Sequence, residues 1–470
     1  MRQVELEALA PDRLEALIGP ARTQRFQAAA AAARGLLAGR RVLNVNSTAT
    51  GGGVAELLQT LLGYALGVGI DAAWAVIDGN PEFFEITKRL HNHLYGAAGD
   101  GGQLGDAARG PYEATLAQNA DALRCLIRPS DIVVLHDPQP AGLASVAREA
   151  GAVVVWRCHI GRDTANEYTD EGWAFLRPYV EAADAYVFSR AAFIPSWVEP
   201  ARASVIPPSI DPFAAKNEDR TDADVRGILQ HAGLLAGHGD PPSIAFIRRD
   251  GTSGRLECRA SLLDAGPAPA VDAPLVVQIS RWDRMKDMPG VLRGFVEHVS
   301  DAHLMLVGPD VRGVEDDPEG AAVLDECVDV WRELSVGAAR RVHLACLPMD
   351  DPDEQAVIVN ALQRHASVVA QKSLAEGFGL TVTEAMWKRG PMVASRVGGI
   401  GDQIRDHQEG LLIDDPHDLG AFGRAVGLLL DDRRLARSLA GAAHERVFEE
   451  YLADTHLERY AELFSGLAGL

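Results

Sequence analysis

The sequence predicts an α/β protein built from two Rossmann-like parallel sheets. Two observations support this fold class. Short apolar segments alternate with helical patterns, which is typical of a parallel sheet covered by helices on both faces. The alternation also occurs twice along a chain of 470 residues. Such a chain is too long for one ordinary core and suits two domains of about 200 residues each.

The first half of the chain contains a series of strand candidates separated by helical patterns. Each candidate is rich in Val, Leu, Ile or Ala, the composition of a buried parallel strand. They lie at residues 41–46, 71–77, 131–136, 152–156 and 185–188. Residues 1–38 are predicted to form two helical stretches that pack on this domain.

The second half repeats this pattern. Its predicted strands lie at residues 275–279, 303–307, 341–344, 367–370 and 391–394. The proline-rich segment at 206–212 suits an interdomain hinge. We therefore predict an N-terminal domain over residues 1–212, a C-terminal domain over 213–440, and a last helix within 441–470 that crosses back to the N-terminal domain.

The segment at 230–272 differs in composition from its surroundings and is predicted to be an insertion in the C-terminal domain. Both of its ends are rich in Gly and Pro. Between them, strand candidates at 243–249 and 255–260 flank a turn that contains Asp-Gly. This arrangement predicts a β-hairpin, to which we assign no function.

The charge balance and the cysteines exclude several classes of protein. Lys plus Arg number 45 and Asp plus Glu 66, which gives a net charge of −21, so generic binding to nucleic acid or to an anionic membrane is not expected. The five cysteines are widely spaced and form no CxxC pair, which suits a reducing compartment. The acidic N-terminus lacks a signal-peptide core, and no long uncharged apolar run is present. We expect a cytoplasmic protein.

A glycine run follows the first strand candidate. Gly51, Gly52 and Gly53 come directly after it and open a helical pattern. Glycines let a phosphate approach the backbone, and a helix N-terminus supplies N–H groups and a partial positive charge. The run predicts a phosphate contact, with a tight strand-to-helix turn as the alternative.

Two cations follow the first strand of the C-terminal sheet. Arg281 and Lys286 come shortly after Ile279, at the carboxyl end of a strand, where open α/β sheets bind their ligands. A guanidinium and an ammonium can neutralise the charge of a leaving diphosphate. The alternative is a pair of solvated surface cations.

The strongest pattern extends from Glu376 to Glu384. Glu376 is predicted to lie on a loop and Glu384 inside the helix that follows, so the two side chains can contact different parts of one ligand. The backbone N–H groups of residues 377–381 can form an anion-binding nest at the start of the helix. Carboxylates accept two hydrogen bonds at once from sugar or ribose hydroxyls. The alternative is one glutamate that stabilises the helix dipole and one surface glutamate.

Polar residues also follow two strands of the first sheet. His159 comes after one of these strands, and Asp137 and Gln139 come after another. Side chains at the carboxyl ends of these strands can bind sugar hydroxyls. The alternatives are a partly buried histidine with its hydrogen bonds satisfied and a rigid turn capped by an Asx hydrogen bond.

These motifs resemble those of retaining glycosyltransferase family 4, whose members pair a glycine loop, an Arg/Lys pair and an E-x7-E motif. Within that family, the chain is similar to the trehalose glycosyltransferring synthases. The strings that carry the resemblance lie at residues 45–56, 82–88, 136–140, 156–160, 207–211 and 376–388. The resemblance covers about 41–215 and 272–465 in order. It implies a GT-B fold, with two Rossmann-like domains facing each other across a cleft.

The resemblance further implies reversible transfer of glucose from a nucleoside diphosphate glucose to glucose, giving α,α-trehalose with retention of configuration. The residues that it implies for catalysis are Arg281, Lys286, Glu376 and His159. Those that it implies for donor binding are Gly52, Gly53, Gly377, Phe378, Gly379, Leu380, Thr381 and Glu384. Those that it implies for acceptor binding are Asp137, Gln139 and Glu82. The family's usual glycine after the lysine is Asp287 here.

Three alternatives to this function stay open. A trehalose phosphorylase-type enzyme would accept inorganic phosphate in place of the nucleotide. A sugar or nucleotide sensor would use the same scaffold without catalysis. A transferase could also use another small sugar or glucose 6-phosphate as its acceptor, for which Arg157, Arg162 and Lys88 are candidate phosphate ligands.

The expected partners are small molecules only, namely a nucleotide sugar, glucose and trehalose. No cofactor is expected to be required for the chemistry, with Mg²⁺ at most a stimulating ion. His91 and His93 lack a nearby third ligand, so no metal site is expected there. The oligomeric state is left open, with a homodimer as one alternative.

Overall fold

The computed structural model describes residues 1–50, 52–237, 244–248, 251–263, 266–311 and 318–467. The chain divides into two compact units. Unit 1 consists of Met1–Ile210 and Tyr451–Leu470, and unit 2 of Asp211–Glu450. Each unit contains a seven-stranded sheet that is mostly parallel, so the prediction of two Rossmann-like α/β domains is confirmed.

The sheet of unit 1 has the order β1-β3-β2-β4-β5-β6-β7. Its strands are β1 (Arg2–Val4), β2 (Val42–Asn46), β3 (Ala72–Val76), β4 (Ile132–His136), β5 (Val153–Cys158), β6 (Ala185–Phe188) and β7 (Ala203–Val205). All neighbours are parallel except β1 with β3. The helices are α1 (Asp12–Ile18), α2 (Pro20–Leu36), α3 (Gly53–Gly67), α4 (Pro81–Leu94), α5 (Asp106–Leu126), α6 (Ala144–Glu149) and α7 (Glu167–Val180). β4 and β5 are buried over their whole length, because helices cover both faces of a parallel sheet.

Unit 2 has a second sheet of order β10-β13-β12-β11-β14-β15-β16 and a separate hairpin, β8-β9. The strands are β8 (Ala245–Ile247), β9 (Ser253–Arg255), β10 (Ser261–Leu262), β11 (Leu275–Ile279), β12 (His303–Pro309), β13 (Val342–Leu347), β14 (Val368–Gln371), β15 (Met392–Ser395) and β16 (Leu411–Ile413). The helices are α8 (Asp222–His231), α9 (Met288–His298), α10 (Pro318–Arg332), α11 (Val336–Ala339), α12 (Pro352–His365), α13 (Leu380–Trp387), α14 (Ile400–Gln403), α15 (Leu419–Asp431) and α16 (Arg433–Glu450). Only β10 with β13 is antiparallel in this sheet.

The predicted insertion contains the β8-β9 hairpin, with Ala245 opposite Arg255. The second strand ends at Arg255 rather than extending over 255–260, and residues 243, 249 and 250 of the predicted hairpin lie outside the described residues. The segment is attached to α12 because Glu354 Oε2 accepts the backbone N–H groups of Glu257 and Cys258, at 2.7 and 2.6 Å. β10 then extends the sheet of unit 2 at its edge.

The chain returns to unit 1 near its end. A single helix was predicted there, but the structure has two, α16 and then α17 (Ala453–Gly466), separated by the buried Tyr451 and Leu452. Helix α16 stays with unit 2 beyond residue 441, because His444 Nδ1 lies 2.6 Å from the Trp387 carbonyl oxygen and Arg446 donates to the Asp402 carbonyl oxygen at 2.8 Å. Helix α17 contributes Tyr460 and Phe464 to a core cluster of unit 1. Within the part of the chain that is described, no helix has the length and apolar character that crossing a membrane requires.

Candidate active site

Lys286 and Glu376 form the central contact of the candidate site in unit 2. After β11 ends at Ile279, a short 3-10 turn over residues 284–286 is capped by Asp283, whose Oδ1 accepts the N–H of Met285 at 2.8 Å. The Lys286 ammonium, Nζ, lies 2.5 Å from Glu376 Oε2. Both side chains are mostly buried, at 15% and 11% exposure. The sequence-predicted cation and the first predicted glutamate are therefore brought together.

Arg281 is not part of this contact. Its Nη2 donates to Asp283 Oδ2 at 3.1 Å, and its side chain is 61% exposed. The guanidinium thus lies on the same strand-to-helix segment as Lys286 but extends into solvent, where it is available to an anionic ligand.

Hydrogen bonds connect the segment that carries Lys286 to the segment that carries Glu376. The N–H of Leu374 donates to the carbonyl oxygen of Met285 at 2.7 Å. The buried Gln278 side chain donates to the Lys286 carbonyl oxygen at 2.7 Å and accepts the N–H of Lys372 at 2.9 Å. Sequence reasoning missed Gln278, although an amide inside an otherwise apolar strand was a signal, since buried amides need hydrogen-bond partners.

Asp287 occupies the position where the resembled family usually has glycine. Its backbone is left-handed, with φ 46° and ψ 44°. Glycine adopts this conformation freely, and aspartate is one of the few other residues that tolerate it. The aspartate also caps α9 by accepting the N–H of Gly290 at 3.2 Å, and it pairs with the fully buried Lys372. The turn that glycine would form is therefore retained, and a carboxylate is added to it.

The turn from Glu376 to Gly379 packs against two further glycines, Gly398 and Gly399. Gly379 is left-handed, with φ 87°, and precedes α13. The N–H of Gly399 donates to the Gly377 carbonyl oxygen at 3.0 Å. At Gly398, a Cβ atom would lie 1.6 Å from the Glu376 carbonyl oxygen. The turn is therefore packed too closely on residues 398–399 for any larger side chain at position 398.

The start of α13 lies at the segment for which anion binding by the backbone is predicted. The turn ends at Gly379, and Leu380 and Thr381 begin the helix. The first N–H groups of an α-helix lack intrahelical acceptors and carry the positive end of its dipole. Residues 377–381 therefore form a turn that leads into a helix, and anion binding by their backbone stays a prediction.

Glu384 lies inside α13 and is 3% exposed. Its Oε1 lies 3.0 Å from Lys216 Nζ, a partner that sequence reasoning missed. Its Oε2 is buried and accepts no hydrogen bond from any of the described residues. A buried carboxylate oxygen without a partner is costly, so a ligand hydroxyl that donates to Oε2 would be stabilising.

In unit 1, His136, Asp137 and His159 meet at the carboxyl ends of the adjacent strands β4 and β5. The backbone N–H of His159 donates to Asp137 Oδ1 at 2.7 Å. The His136 Nδ1 and His159 Nε2 atoms are 3.2 Å apart, with stacked rings. His136 Nε2 lies 2.9 Å from Asn44 Oδ1. If the Asn44 oxygen accepts from His136, then His136 Nδ1 accepts from His159, and His159 Nδ1 carries a lone pair.

Burial and a buried cation set the charges of these groups. Burial lowers the pKa of His136 and of His159 well below the usual range, and the charge of Arg157 lowers both further. Burial raises the pKa of Asp137 to about 7. Both imidazoles are therefore neutral near pH 7, and the Asp137 carboxyl is close to its midpoint.

Arg157 does not have the position that a phosphate ligand needs. It is fully buried on β5, and its Nη1 donates to His456 Nε2 at 3.1 Å, while Nη2 donates to the Ile206 carbonyl oxygen at 3.2 Å. It also donates to the Tyr460 hydroxyl. The proposal that Arg157 contacts an acceptor phosphate is therefore wrong, because its guanidinium is bonded to α17 and the segment at Ile206.

The remaining predicted residues of unit 1 lie on different segments of the chain. Gly52, with φ 88°, precedes α3 at the end of the β2 loop, and Gly51 lies outside the described residues. Gln139 is partly exposed beside Asp137, and Glu82 is exposed in the first turn of α4. β2, β4 and β5 are neighbours in the sheet, and Gly52, Asp137 and His159 each follow the carboxyl end of one of these strands.

His93, one of the two histidines at which no metal site is expected, contacts neighbouring residues. His93 is buried, with Nδ1 2.9 Å from the Arg89 carbonyl oxygen and Nε2 3.4 Å from Glu171. Over the described ranges, no group of three or more His, Cys, Asp or Glu side chains is arranged to hold a metal ion.

Comparison with solved structures gives the class of the fold. A UDP-forming α,α-trehalose-phosphate synthase from Burkholderia xenovorans superposes with a TM-score of 0.66 over 91% of this chain and 99% of that chain, at 15% identity. Together with the two parallel-sheet units, this similarity shows a GT-B fold. Residues 353–446, which include Glu376 and Glu384, match the family described as glycosyl transferases group 1. The fold and this match define a glycosyltransferase.

Sequence comparison narrows that class. Residues 44–195 match the family described as trehalose synthase, N-terminal domain. A trehalose synthase of Rubrobacter xylanophilus is 35% identical over 93% of this chain and 92% of the relative. A trehalose phosphorylase of Pleurotus pulmonarius is more distant, at 25% identity over 86% of this chain and 54% of the relative. The chain belongs to the trehalose synthase family of glycosyltransferases.

Proposed function

We propose that the protein is a retaining hexosyltransferase that moves glucose from a nucleoside diphosphate glucose to free glucose, forming α,α-trehalose reversibly. The observation that supports this most is the arrangement along one segment of unit 2. The Lys286–Glu376 pair adjoins the N-terminus of α13, and Glu384 lies inside the same helix with a buried, unpartnered oxygen. These groups match the three parts of such a donor.

The donor's parts are assigned by their chemistry. The diphosphate needs cations and backbone N–H groups, which Lys286, the exposed Arg281 and the start of α13 supply. Glucose hydroxyls donate to carboxylates, so Glu376 is assigned to the transferred sugar. The ribose diol can donate to both oxygens of Glu384. In unit 1, Gly52 and Gly53 are assigned to the diphosphate.

The acceptor is assigned to unit 1. Asp137, Gln139 and Glu82 carry side-chain oxygens that accept from glucose hydroxyls, and the neutral His159 contacts the transferred sugar. Because burial and Arg157 hold His159 neutral, its free ring nitrogen can accept a hydroxyl proton in a hydrogen bond without adding charge to the site.

For the chemistry, we favour a same-face route. The anomeric C–O bond to the donor phosphate breaks, and the leaving diphosphate takes the electron pair. A glucose hydroxyl attacks from the same face, and its proton passes to a departing phosphate oxygen. Lys286 and Arg281 stabilise the developing negative charge, and exclusion of water from the site would prevent hydrolysis of the oxocarbenium-like species.

The test is a matrix of donors and acceptors. The enzyme is incubated with UDP-, ADP- or GDP-glucose and with glucose or glucose 6-phosphate, and the product is identified by NMR. We expect an α,α-1,1-linked disaccharide from glucose. A product with another linkage would contradict the trehalose assignment and leave the transferase class intact.

A trehalose phosphorylase-type activity is the second candidate, because phosphate could occupy the same cations. The buried Glu384 argues against it, since a phosphorylase has no ribose to bind. Formation of glucose 1-phosphate from trehalose and inorganic phosphate, without any nucleotide, would favour this candidate. The remaining parts of the proposal are a cytoplasmic location, no required cofactor, Mg²⁺ at most as a stimulating ion, and a homodimer as an open alternative.

We predict that Asp137→Asn removes a pH dependence of acceptor use. Because the pKa of Asp137 is raised to about 7, the carboxyl is protonated below pH 7 and ionised above it. The ionised form accepts glucose hydroxyls better, so kcat/KM for glucose should rise through pH 7 in the wild type. It should be nearly flat there in the variant.

The measurement is kcat/KM for glucose from pH 5.5 to 8.5 at saturating donor. The exposed Glu149→Gln serves as a control and should keep the wild-type profile. An inflection near pH 7 that survives in Asp137→Asn would assign the titration to another group.

A further inference from the structure

We propose that Lys216 is a positioning residue that fixes the Glu384 carboxylate for the ribose of the nucleotide donor. The inference rests on the proposed function, in which Glu384 binds the ribose diol. The evidence for it is a distance of 3.0 Å between Lys216 Nζ and Glu384 Oε1. Lys216, which is 168 positions before Glu384 in the sequence, would thereby contribute to donor affinity.

The contact lies in a protected environment. The Glu384 side chain is 4% exposed and the Lys216 side chain 28% exposed. An exposed ion pair contributes little, but a buried carboxylate that loses its cation is strongly destabilised. The pair therefore compensates the charge of Glu384 on the side away from its unpartnered Oε2 atom.

Lys216 is held in place by the same helix that carries Glu384. The next residue, Asn217, accepts through Oδ1 from Lys388 Nζ at 2.9 Å and through its carbonyl oxygen from Trp387 Nε1 at 3.2 Å. Asn217 Nδ2 also donates to the Asp211 carbonyl oxygen at 2.9 Å. The loop before α8 is thus attached to the C-terminal end of α13, one turn beyond Glu384. The approach of Lys216 to Glu384 is consequently built into the fold and is not a chance surface contact.

The geometry leaves the carboxylate able to accept two more hydrogen bonds. Each carboxylate oxygen can accept more than one hydrogen bond. Oε1 can therefore accept a ribose hydroxyl while it stays bonded to Lys216, and Oε2 can accept the neighbouring hydroxyl. By fixing Oε1, Lys216 limits rotation of the carboxylate and orients Oε2. Its effect should therefore depend on the ribose hydroxyls and not on the phosphates.

The test is a thermodynamic cycle that combines a substitution in the protein with removal of the ribose hydroxyls from the ligand. The ligand is UDP, ADP or GDP, whichever the wild type binds most tightly, and its partner is the 2′,3′-dideoxy form of the same diphosphate. Lys216→Met should weaken binding of the ribose form about tenfold or more in calorimetric titrations. It should weaken binding of the dideoxy form less than about threefold, and Lys216→Arg should restore most of the loss. Thermal unfolding of each variant shows whether the fold is retained.

Equal losses for the two ligands would overturn the inference, because Lys216 would then act on the phosphates or on the fold. An unchanged affinity in Lys216→Met would overturn it as well. Glu384→Gln separates this failure from failure of the proposed function. If Glu384→Gln weakens only the ribose form and Lys216→Met changes nothing, the ribose assignment stands and the role of Lys216 falls. If Glu384→Gln has no effect, or no diphosphate binds to the wild type, both fall.

Discussion

Replacing Lys286 by alanine is expected to lower kcat about 100-fold or more. The ammonium lies 2.5 Å from Glu376 in a largely buried contact, and in the proposed reaction it stabilises the charge of the leaving diphosphate. Its removal would take away that stabilisation when negative charge develops and would leave Glu376 without its cation. Steady-state kinetics with the preferred donor would measure the loss, which should fall mainly on kcat.

The neighbouring Arg284 offers a matched control. Its side chain is 63% exposed and is 3.8 Å from Glu326, so Arg284→Ala should keep near-normal turnover while making the same kind of deletion in the same turn. Arg281→Ala, measured in parallel, tests the exposed guanidinium, for which we also expect about a 100-fold loss. Turnover within about threefold of wild type in Lys286→Ala would contradict the assigned role.

Gly398→Ala should lower kcat nearly as much as Lys286→Ala does, although residue 398 contacts no substrate in the proposed reaction. A Cβ atom there would lie 1.6 Å from the Glu376 carbonyl oxygen, and Gly398 has φ 50°. Because the obstructing atom belongs to the backbone, the turn that carries Glu376 must move. A displacement of about 1 Å at a catalytic group can cost about 100-fold in rate, and the left-handed backbone adds about 1 to 3 kcal/mol of strain.

Gly427→Ala is the control for this substitution. Gly427 lies inside α15, and no atom lies within 4 Å of the added Cβ. Since alanine favours a helix interior over glycine by about 1 kcal/mol, this variant should unfold at the same or a higher temperature and keep its activity. Circular dichroism would show whether Gly398→Ala is folded. A folded Gly398→Ala protein with wild-type kcat would show that the turn tolerates the displacement.

The buried strands of both sheets could be predicted because each is an uninterrupted run of mostly apolar residues. Segments such as β4 and β11 are buried over their whole length and apolar except for one residue each, His136 and Gln278, and they are bounded by turn residues. β1, β7, β10 and β16 were missed. These strands have two or three residues each and lie at sheet edges. Too few residues are present for a periodic pattern, and their pairing depends on neighbours that are distant in sequence.

In the candidate site, too, the features encoded by local sequence could be predicted and those that depend on distant segments could not. The motif at 376–384 and Lys286 could be identified because their residue types and spacing are local. Their contact, and the role of Lys216, depend on which loops the fold brings together, and no local pattern encodes that. Arg157 was misjudged for a related reason. A strand-end arginine resembles an anion ligand, whereas its actual partners, His456 and Tyr460, come from the last helix.

That last helix bears on the biosynthesis of the protein. Ile210 donates its N–H to the carbonyl oxygen of Tyr451 at 2.9 Å, so unit 2 is inserted between two segments of unit 1 that adjoin each other. The ribosome completes unit 2 before it makes α17, and domains generally fold as units during synthesis. Although unit 1 starts first, it is finished last, and a nascent chain that stops near residue 450 would leave Arg157 without the histidine and tyrosine that bind it.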